Sequence, residues 1–296
     1  MASYTPHQRY CYGIVWFIFA MTISCCGDVL MKYLGVRLHP LEVTFFRFAF
    51  SALTLLPVLC MRPAAFYTKR LPLHAARGIA FYVAITCWCI ALTVVPVTTA
   101  TTILFTMPMW VLLMAHLFLK EAIGWSRLLA TVGGFVGIVF VMEPTALNSF
   151  PIKGLLLLLA TFIFSGLDIV NKYYVEKESM LSMLFYSAAA TTLVAAIPAS
   201  FYWQIPNSKE FWLLLLLGIA ANLMLYCILK AFSFVEASAV SPYRYVELII
   251  SGIMGYLVFG DIPTLWMLTG AAIIIPCMFF ILWYETKHLA KQEIVL

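Results

Sequence analysis

The chain has 296 residues, 64% of them hydrophobic and only 10% charged, with a net charge of +5 and a mean hydropathy of +0.99. A soluble domain is about 45–50% apolar and about 25% charged. This composition therefore excludes a soluble globular enzyme, a disordered chain, a nucleic-acid binder and a secreted disulfide scaffold.

Apolar runs fall at 11–34, 41–60, 74–94, 97–119, 125–143, 152–175, 179–202, 209–233, 237–260 and 264–284. Each is close to the roughly 20 residues that a helix needs to cross a bilayer. Backbone groups in lipid must pair within their own segment, so the runs predict helices. Pro, Gly and charge mark the connectors at 37–40, 62–72, 144–151 and 205–209. The first run carries Asp28 and Lys32 near its end and lacks a small-residue cleavage site, so it reads as a retained span. With the N-terminus inside, twelve Lys and Arg fall on the inner side and four on the outer, with Arg47 and Arg244 within spans. That bias places both termini in the cytoplasm. The eight cysteines lie in or beside apolar runs and read as small buried hydrophobes.

A shift of 140 superposes the chain on itself. Asp28, Lys32 and Tyr33 fall on Asp168, Lys172 and Tyr173, and Gly78-Ile79-Ala80 falls on Gly218-Ile219-Ala220. Glu121 falls on Asp261. Five spans per half is odd, so the halves enter the membrane in opposite senses. The expected fold is an all-α membrane protein of ten transmembrane helices, arranged as two inverted five-helix repeats, 1–144 and 145–296. One site is expected near the midplane between them.

Ionisable groups within a span cost roughly 2.5–3.5 kcal/mol each at the helix centre and usually face a cavity or a partner. The deepest cluster is Tyr243, Arg244 and Glu247, within one 100° arc at about 100° per residue. Tyr245 points elsewhere and reads as packing. The cluster falls on Ile103, Leu104 and Met107 in the first half, so symmetry does not explain it. Two readings stay open, contact with substrate or an internal Arg244–Glu247 pair. Asp28–Lys32 and Asp168–Lys172 are i, i+4 pairs near opposite ends of their spans. They suit alternating gates, or they are interfacial pairs of little energetic weight. Arg47 falls on Ser187 and is either a partner for Asp28 or a contact for a carboxylate. Asn222, Tyr226 and Lys230 form a polar stripe, echoed by Tyr82 and Thr86. These stripes line a cavity or bond helix to helix. Thr98, Thr99, Thr101 and Thr102 suit a helix cap. Gly133 and Gly137 form GxxxG, a close-packing face within the chain or in a dimer. No catalytic constellation, metal set or phosphate loop is present in the sequence, so neither a cofactor nor direct ATP coupling is indicated.

Several blocks carry a resemblance. They are Lys32-Tyr33-Leu34-Gly35 running into Phe45-Phe46-Arg47-Phe48, Pro96-Val97-Thr98-Thr99, Lys177-Glu178-Ser179-Met180, and Pro242-Tyr243-Arg244-Tyr245 with Glu247-Leu248. With the five-plus-five pattern, the chain resembles the drug/metabolite transporter superfamily, EamA branch, and within it the S-adenosylmethionine uptake transporters of obligate intracellular bacteria. That resemblance implies a multi-pass secondary transporter of the bacterial inner membrane, working as a monomer or homodimer. It implies import of S-adenosylmethionine by alternating access, with exchange for S-adenosylhomocysteine left open. Such a ligand carries a sulfonium, an ammonium and a carboxylate. Glu247 would neutralise a cation, Arg244 would fork a carboxylate, and Tyr243 would offer its ring. The alternative is an exporter or exchanger of another organic cation or amino-acid-like metabolite.

Overall fold

A computed structural model describes residues 5–92, 103–141, 155–259 and 265–295. Thr98, Thr99, Thr101, Thr102 and Asp261 lie outside the described residues. Among the described residues ten α-helices of eight or more residues follow in order: α1 (Pro6–Leu34), α2 (Pro40–Met61), α3 (Leu71–Leu92), α4 (Met107–Met114), α5 (Trp125–Val141), α6 (Leu155–Tyr174), α7 (Met180–Ser200), α8 (Ser208–Phe234), α9 (Val246–Phe259) and α10 (Leu265–Val295). No strand occurs among the described residues. Among the described residues six helices are long and apolar enough to cross a membrane, and Met107–Leu119 is a shorter apolar one. The chain is thus a multi-pass, all-helical membrane protein.

Local sequence sets the boundaries. Thr5 caps α1 in a reciprocal box with Gln8, and Pro6 takes the first helical position. Asn207 and Glu210 form the same box at α8. Between α8 and α9 the chain makes one helical turn (Ala237–Val240) and then a 3-10 turn (Ser241–Tyr245) that contains Pro242.

The halves interlock instead of standing side by side. Helix α1 packs on α8 and, by the repeat, α6 packs on α3; α2 packs on α8 and, equivalently, α7 on α3. Helices α2 and α7, and α5 and α10, pair with their own repeat mates, which marks a pseudo-twofold axis between them.

Two glycines one repeat apart make the same close seat. A Cβ on Gly78 would lie 2.6 Å from Ala190 Cβ and 2.9 Å from the Thr191 nitrogen. On Gly218 it would lie 2.7 Å from Phe50 Cβ and 2.8 Å from the Ser51 nitrogen. Ser51 and Thr191 are themselves 140 apart, so one contact is built twice. The GxxxG of α5 closes within the chain, with Gly133 against Cys277 and Gly137 against Ile274 and the Gly270 carbonyl. Small residues let helices meet closely where lipid offers no hydrophobic drive.

Gly78→Leu and Gly218→Leu should each force α3 or α8 off its partner, since the obstacle is backbone and not a flexible tip. The expected outcome is loss of the monodisperse peak in detergent, or a clear drop in melting temperature. Leucine placed at Gly166, where an added Cβ meets nothing, should leave both readouts near the parent values.

Candidate functional site

The inward face of α1 repeats every three or four residues. Tyr10, Phe17 and Met21 lie on it and are buried. Ser24 and Asp28 continue the same face by helical periodicity, yet Ser24 is half-buried and Asp28 is exposed. Asp28 is nonetheless deep among protein atoms, with Glu247 and Arg47 as its charged neighbours. We read this exposed position, with charged neighbours from two other helices, as facing a gap between the helices, called the void below.

The floor of the void is an ion pair. Arg244 Nη2 donates to Asp168 Oδ2 at 2.6 Å, and its guanidinium lies 5.4 Å from the Phe17 ring centre. Helices α1, α6 and the start of α9 therefore meet at one cation. Arg244 is nine-tenths buried and keeps its Nε without an acceptor. One turn further from the termini, the Glu247 carboxylate stands near the Ser24 hydroxyl. Another turn on, Ser251 follows Glu247 on α9 and is exposed.

Below the floor, at the end that carries both termini, the structure is closed. The Tyr10 and Tyr243 hydroxyls share a 3.2 Å hydrogen bond. Lys172 Nζ donates to the carbonyls of Phe232 and Val235, at 2.7 and 2.8 Å. Glu121 accepts from the Ala237 and Ser238 nitrogens. Arg127 reaches Glu236, Ser238 and Glu285. The α8–α9 corner is thus held from four other elements.

Several sequence expectations need correction. Asp168 does not pair with Lys172. Lys172 turns to the carbonyl end of α8, where the helix dipole favours a cation, and this leaves Asp168 to Arg244. Arg244 makes its direct ion pair with Asp168, and Glu247 stands within its electrostatic reach without a direct bridge. Tyr243 does not share an open face with Glu247. Ser241–Tyr245 is a 3-10 turn at about 120° per residue, so α-helical spacing misplaces it, and the ring is 2% exposed. Asn222 bonds helix to helix, donating to the Ser51 carbonyl and Thr54 hydroxyl and accepting from the Ser51 hydroxyl. Tyr226 sits edge-on to Trp16, and Lys230 lies over Phe234. Tyr82 and Thr86 are half-buried on α3, and the Thr86 hydroxyl is buried with no hydrogen-bond partner. The Lys32 side chain lies outside the described residues, so its pairing with Asp28 has no structural counterpart here. Tyr245 is buried, and its hydroxyl donates to the Thr131 carbonyl, as a packing role requires. Arg47 sits beside Asp28, with Met31 Sδ 3.1 Å away.

The residues that sequence reasoning missed are Ser24, Tyr10 and Phe17. Their signal was the α1 face they share with Asp28. Among the described residues no three His, Cys, Asp or Glu side chains gather as a metal set.

Comparison with known proteins identifies the scaffold. The model of the EamA-like transporter family matches residues 11–143 and again 152–283. The chain belongs to that family. It is accordingly a transporter and not an enzyme. It is 45% identical over 286 residues to the S-adenosylmethionine uptake transporter of Rickettsia bellii (strain RML369-C), covering 96% of this chain and 98% of that one. The protein of the same description from Rickettsia prowazekii (strain Madrid E) is 44% identical, with 97% of each chain covered. The riboflavin transporter of Vibrio cholerae is 29% identical over 292 residues, with 95% of this chain and 96% of that one covered. A solved crystal structure superposes with a TM-score of 0.76 at 13% identity, covering 92% of this chain and 95% of its own, and supports the fold alone.

The buried bridge generates a test. Removing one member of a buried ion pair strands the other, a cost of about 3–5 kcal/mol. Asp168→Leu and Arg244→Leu should each lower the melting temperature sharply. The double variant should recover much of the loss, read by thermal melting of the purified protein.

Proposed function

We propose that this protein imports S-adenosylmethionine across the inner membrane of a bacterium by alternating access, with S-adenosylhomocysteine as the returning counter-substrate. Near-full-length identity to the S-adenosylmethionine uptake transporters is the observation that carries the reading. In this arrangement ten spans place both termini in the cytoplasm, in keeping with the twelve-to-four distribution of Lys and Arg. The two five-helix halves, 1–144 and 145–296, act as the rocking units. One site lies within one chain, so a monomer suffices and a homodimer carries two sites.

The site chemistry supports a cationic ligand. Glu247 and Asp28 supply negative charge at the void, and Arg47, beside Asp28, is the partner for the amino-acid carboxylate. Arg244 stays with Asp168 and closes the floor until the site opens toward the cytoplasm.

Labelled S-adenosylmethionine should enter cells that make this protein with saturable kinetics, and Glu247→Gln should cut that uptake at least tenfold at equal membrane abundance. Preloaded S-adenosylhomocysteine should accelerate uptake into proteoliposomes. Absence of uptake above the vector control in well-expressed cells overturns the assignment. Competition by a panel of organic cations and amino-acid-like metabolites then decides for the alternative substrate class.

A further inference from the structure

The repeat makes the two sides of the void comparable position by position. On α1 the position one turn from Asp28 is Ser24. Its repeat mate on α6, one turn from Asp168, is Phe164. Phe164 lies on the inward face of α6 with Leu157, Thr161 and Asp168, all buried, but is itself half-buried. Phe81 lies at the centre of the inward face of α3, between buried Arg77, Gly78, Ala84 and Ile85, and is likewise half-buried. The Phe81 and Phe164 rings are 5.5 Å apart, and Phe48 stands 5.0 Å from Phe81 on the other side. Phenylalanines of this kind, on inward faces yet partly open, mark a gap beside α2, α3 and α6.

Their level can be placed. Phe164 is one turn, about 6 Å, from Asp168, and Glu247 is nearly one turn from Arg244. Helix α6 runs toward the termini and α9 away from them, so both steps lead off the Arg244–Asp168 floor in the same direction. Phe164 and Glu247 therefore stand at one height over one floor. The wall from α1 and α9 is acidic, and the wall from α2, α3 and α6 is aromatic. Arg47 bridges them at the rim, beside Asp28 and 5.8 Å from the Phe48 ring centre.

We infer that the site is bipolar. The Phe164–Phe81 pair, edged by Phe48, is the platform for the purine ring of the ligand. Asp28 and Glu247 form the pole for its sulfonium and ammonium charges. This deepens the import of S-adenosylmethionine proposed above and rests on it. When a cationic ligand holds Asp28 and Glu247 both ionised, the two carboxylates against the Arg47 guanidinium leave one negative charge in excess. The ligand carries two positive charges and one negative, so the charges match. S-adenosylhomocysteine, without the sulfonium, is neutral and leaves that excess unmet. A buried charge left without its counter-charge is penalised, so the acidic pole is what separates the two ligands. The aromatic platform does not, because both ligands carry the same ring.

The test uses the full-length protein in cells or proteoliposomes. Labelled S-adenosylmethionine is the substrate, and two unlabelled competitors separate the poles. S-methylmethionine has the sulfonium and amino-acid end but no purine, and S-adenosylhomocysteine has the purine but no sulfonium. Base–aromatic stacking is lost on truncation with an effect of roughly tenfold. Phe164→Ala should raise the KM for S-adenosylmethionine by about that factor and leave inhibition by S-methylmethionine within twofold. Phe164→Tyr should restore the parent KM. Asp28→Asn should weaken S-adenosylmethionine and S-methylmethionine together, and so narrow the preference for S-adenosylmethionine over S-adenosylhomocysteine. Equal weakening of both sulfonium ligands by Phe164→Ala overturns the purine platform. An unchanged preference in Asp28→Asn overturns the cation pole. Phe81→Ala serves in place of Phe164→Ala if that variant does not reach the membrane. Absence of S-adenosylmethionine uptake by the parent protein instead overturns the transport assignment and this inference with it.

Discussion

A single guanidinium, held nine-tenths out of solvent where three helices meet, is the constraint on which the site depends. An isolated cation at that depth costs several kcal/mol. Arg244 is tolerated because Asp168 from α6 pairs with it and the Phe17 ring from α1 covers it. The pair fixes the separation of α1, α6 and α9, sets the floor of the void and determines which residues stand above it. The 3-10 turn at Ser241–Tyr245 is part of the same arrangement. Its tighter winding turns Arg244 inward and leaves Tyr243 to bond Tyr10.

Symmetry and asymmetry are divided between scaffold and site. The scaffold positions agree under the 140-residue shift, with Gly78 and Gly218 seating α3 and α8, and Thr191 and Ser51 receiving them. The site positions do not. Ser24 answers to Phe164, exposed Asp28 to bridged Asp168, and Arg244 to Leu104. A twofold scaffold gives two equivalent ways of packing the halves, which an alternating mechanism needs. A twofold site would favour a twofold ligand. Breaking the symmetry at the void while keeping the Gly78 and Gly218 seats suits the asymmetric ligand proposed above.

The fold was legible because bilayer thickness acts on sequence directly. Apolar run lengths and the repeat gave the helices, and the Gly78 and Gly218 blocks marked a contact built twice. The site was legible only in part. Arg244, Glu247 and Asp28 declared themselves as charges inside spans, but their partners did not. Asp168 is 76 positions from Arg244, and Lys172 binds backbone carbonyls, which every residue possesses. Uniform winding of 100° per residue failed at Pro242, where the helix is not α. Phe164 is one of 23 phenylalanines, and only its exposure on an inward face, opposite a serine in the repeat, sets it apart.

For the void to open at the end that bears the termini, the α8–α9 corner has to part from its neighbours. The contacts there are polar, so water takes their place when they part. Lys172, Glu121 and Arg127 hold the corner through charge-assisted hydrogen bonds and ion pairs, each with a net worth of about 1.5–3 kcal/mol. The buried side chains at 237–239 are Ala, Ser and Ala, while Val240, Tyr243 and Tyr245 beyond them are buried as well. The glycine seats offer no such exchange, since their backbones are already in contact and gain nothing from water. Helices α2, α3, α7 and α8 are therefore fixed to one another by backbone contact, while the end of α8 and the start of α9 are held chiefly by polar contacts of the kind that water can replace.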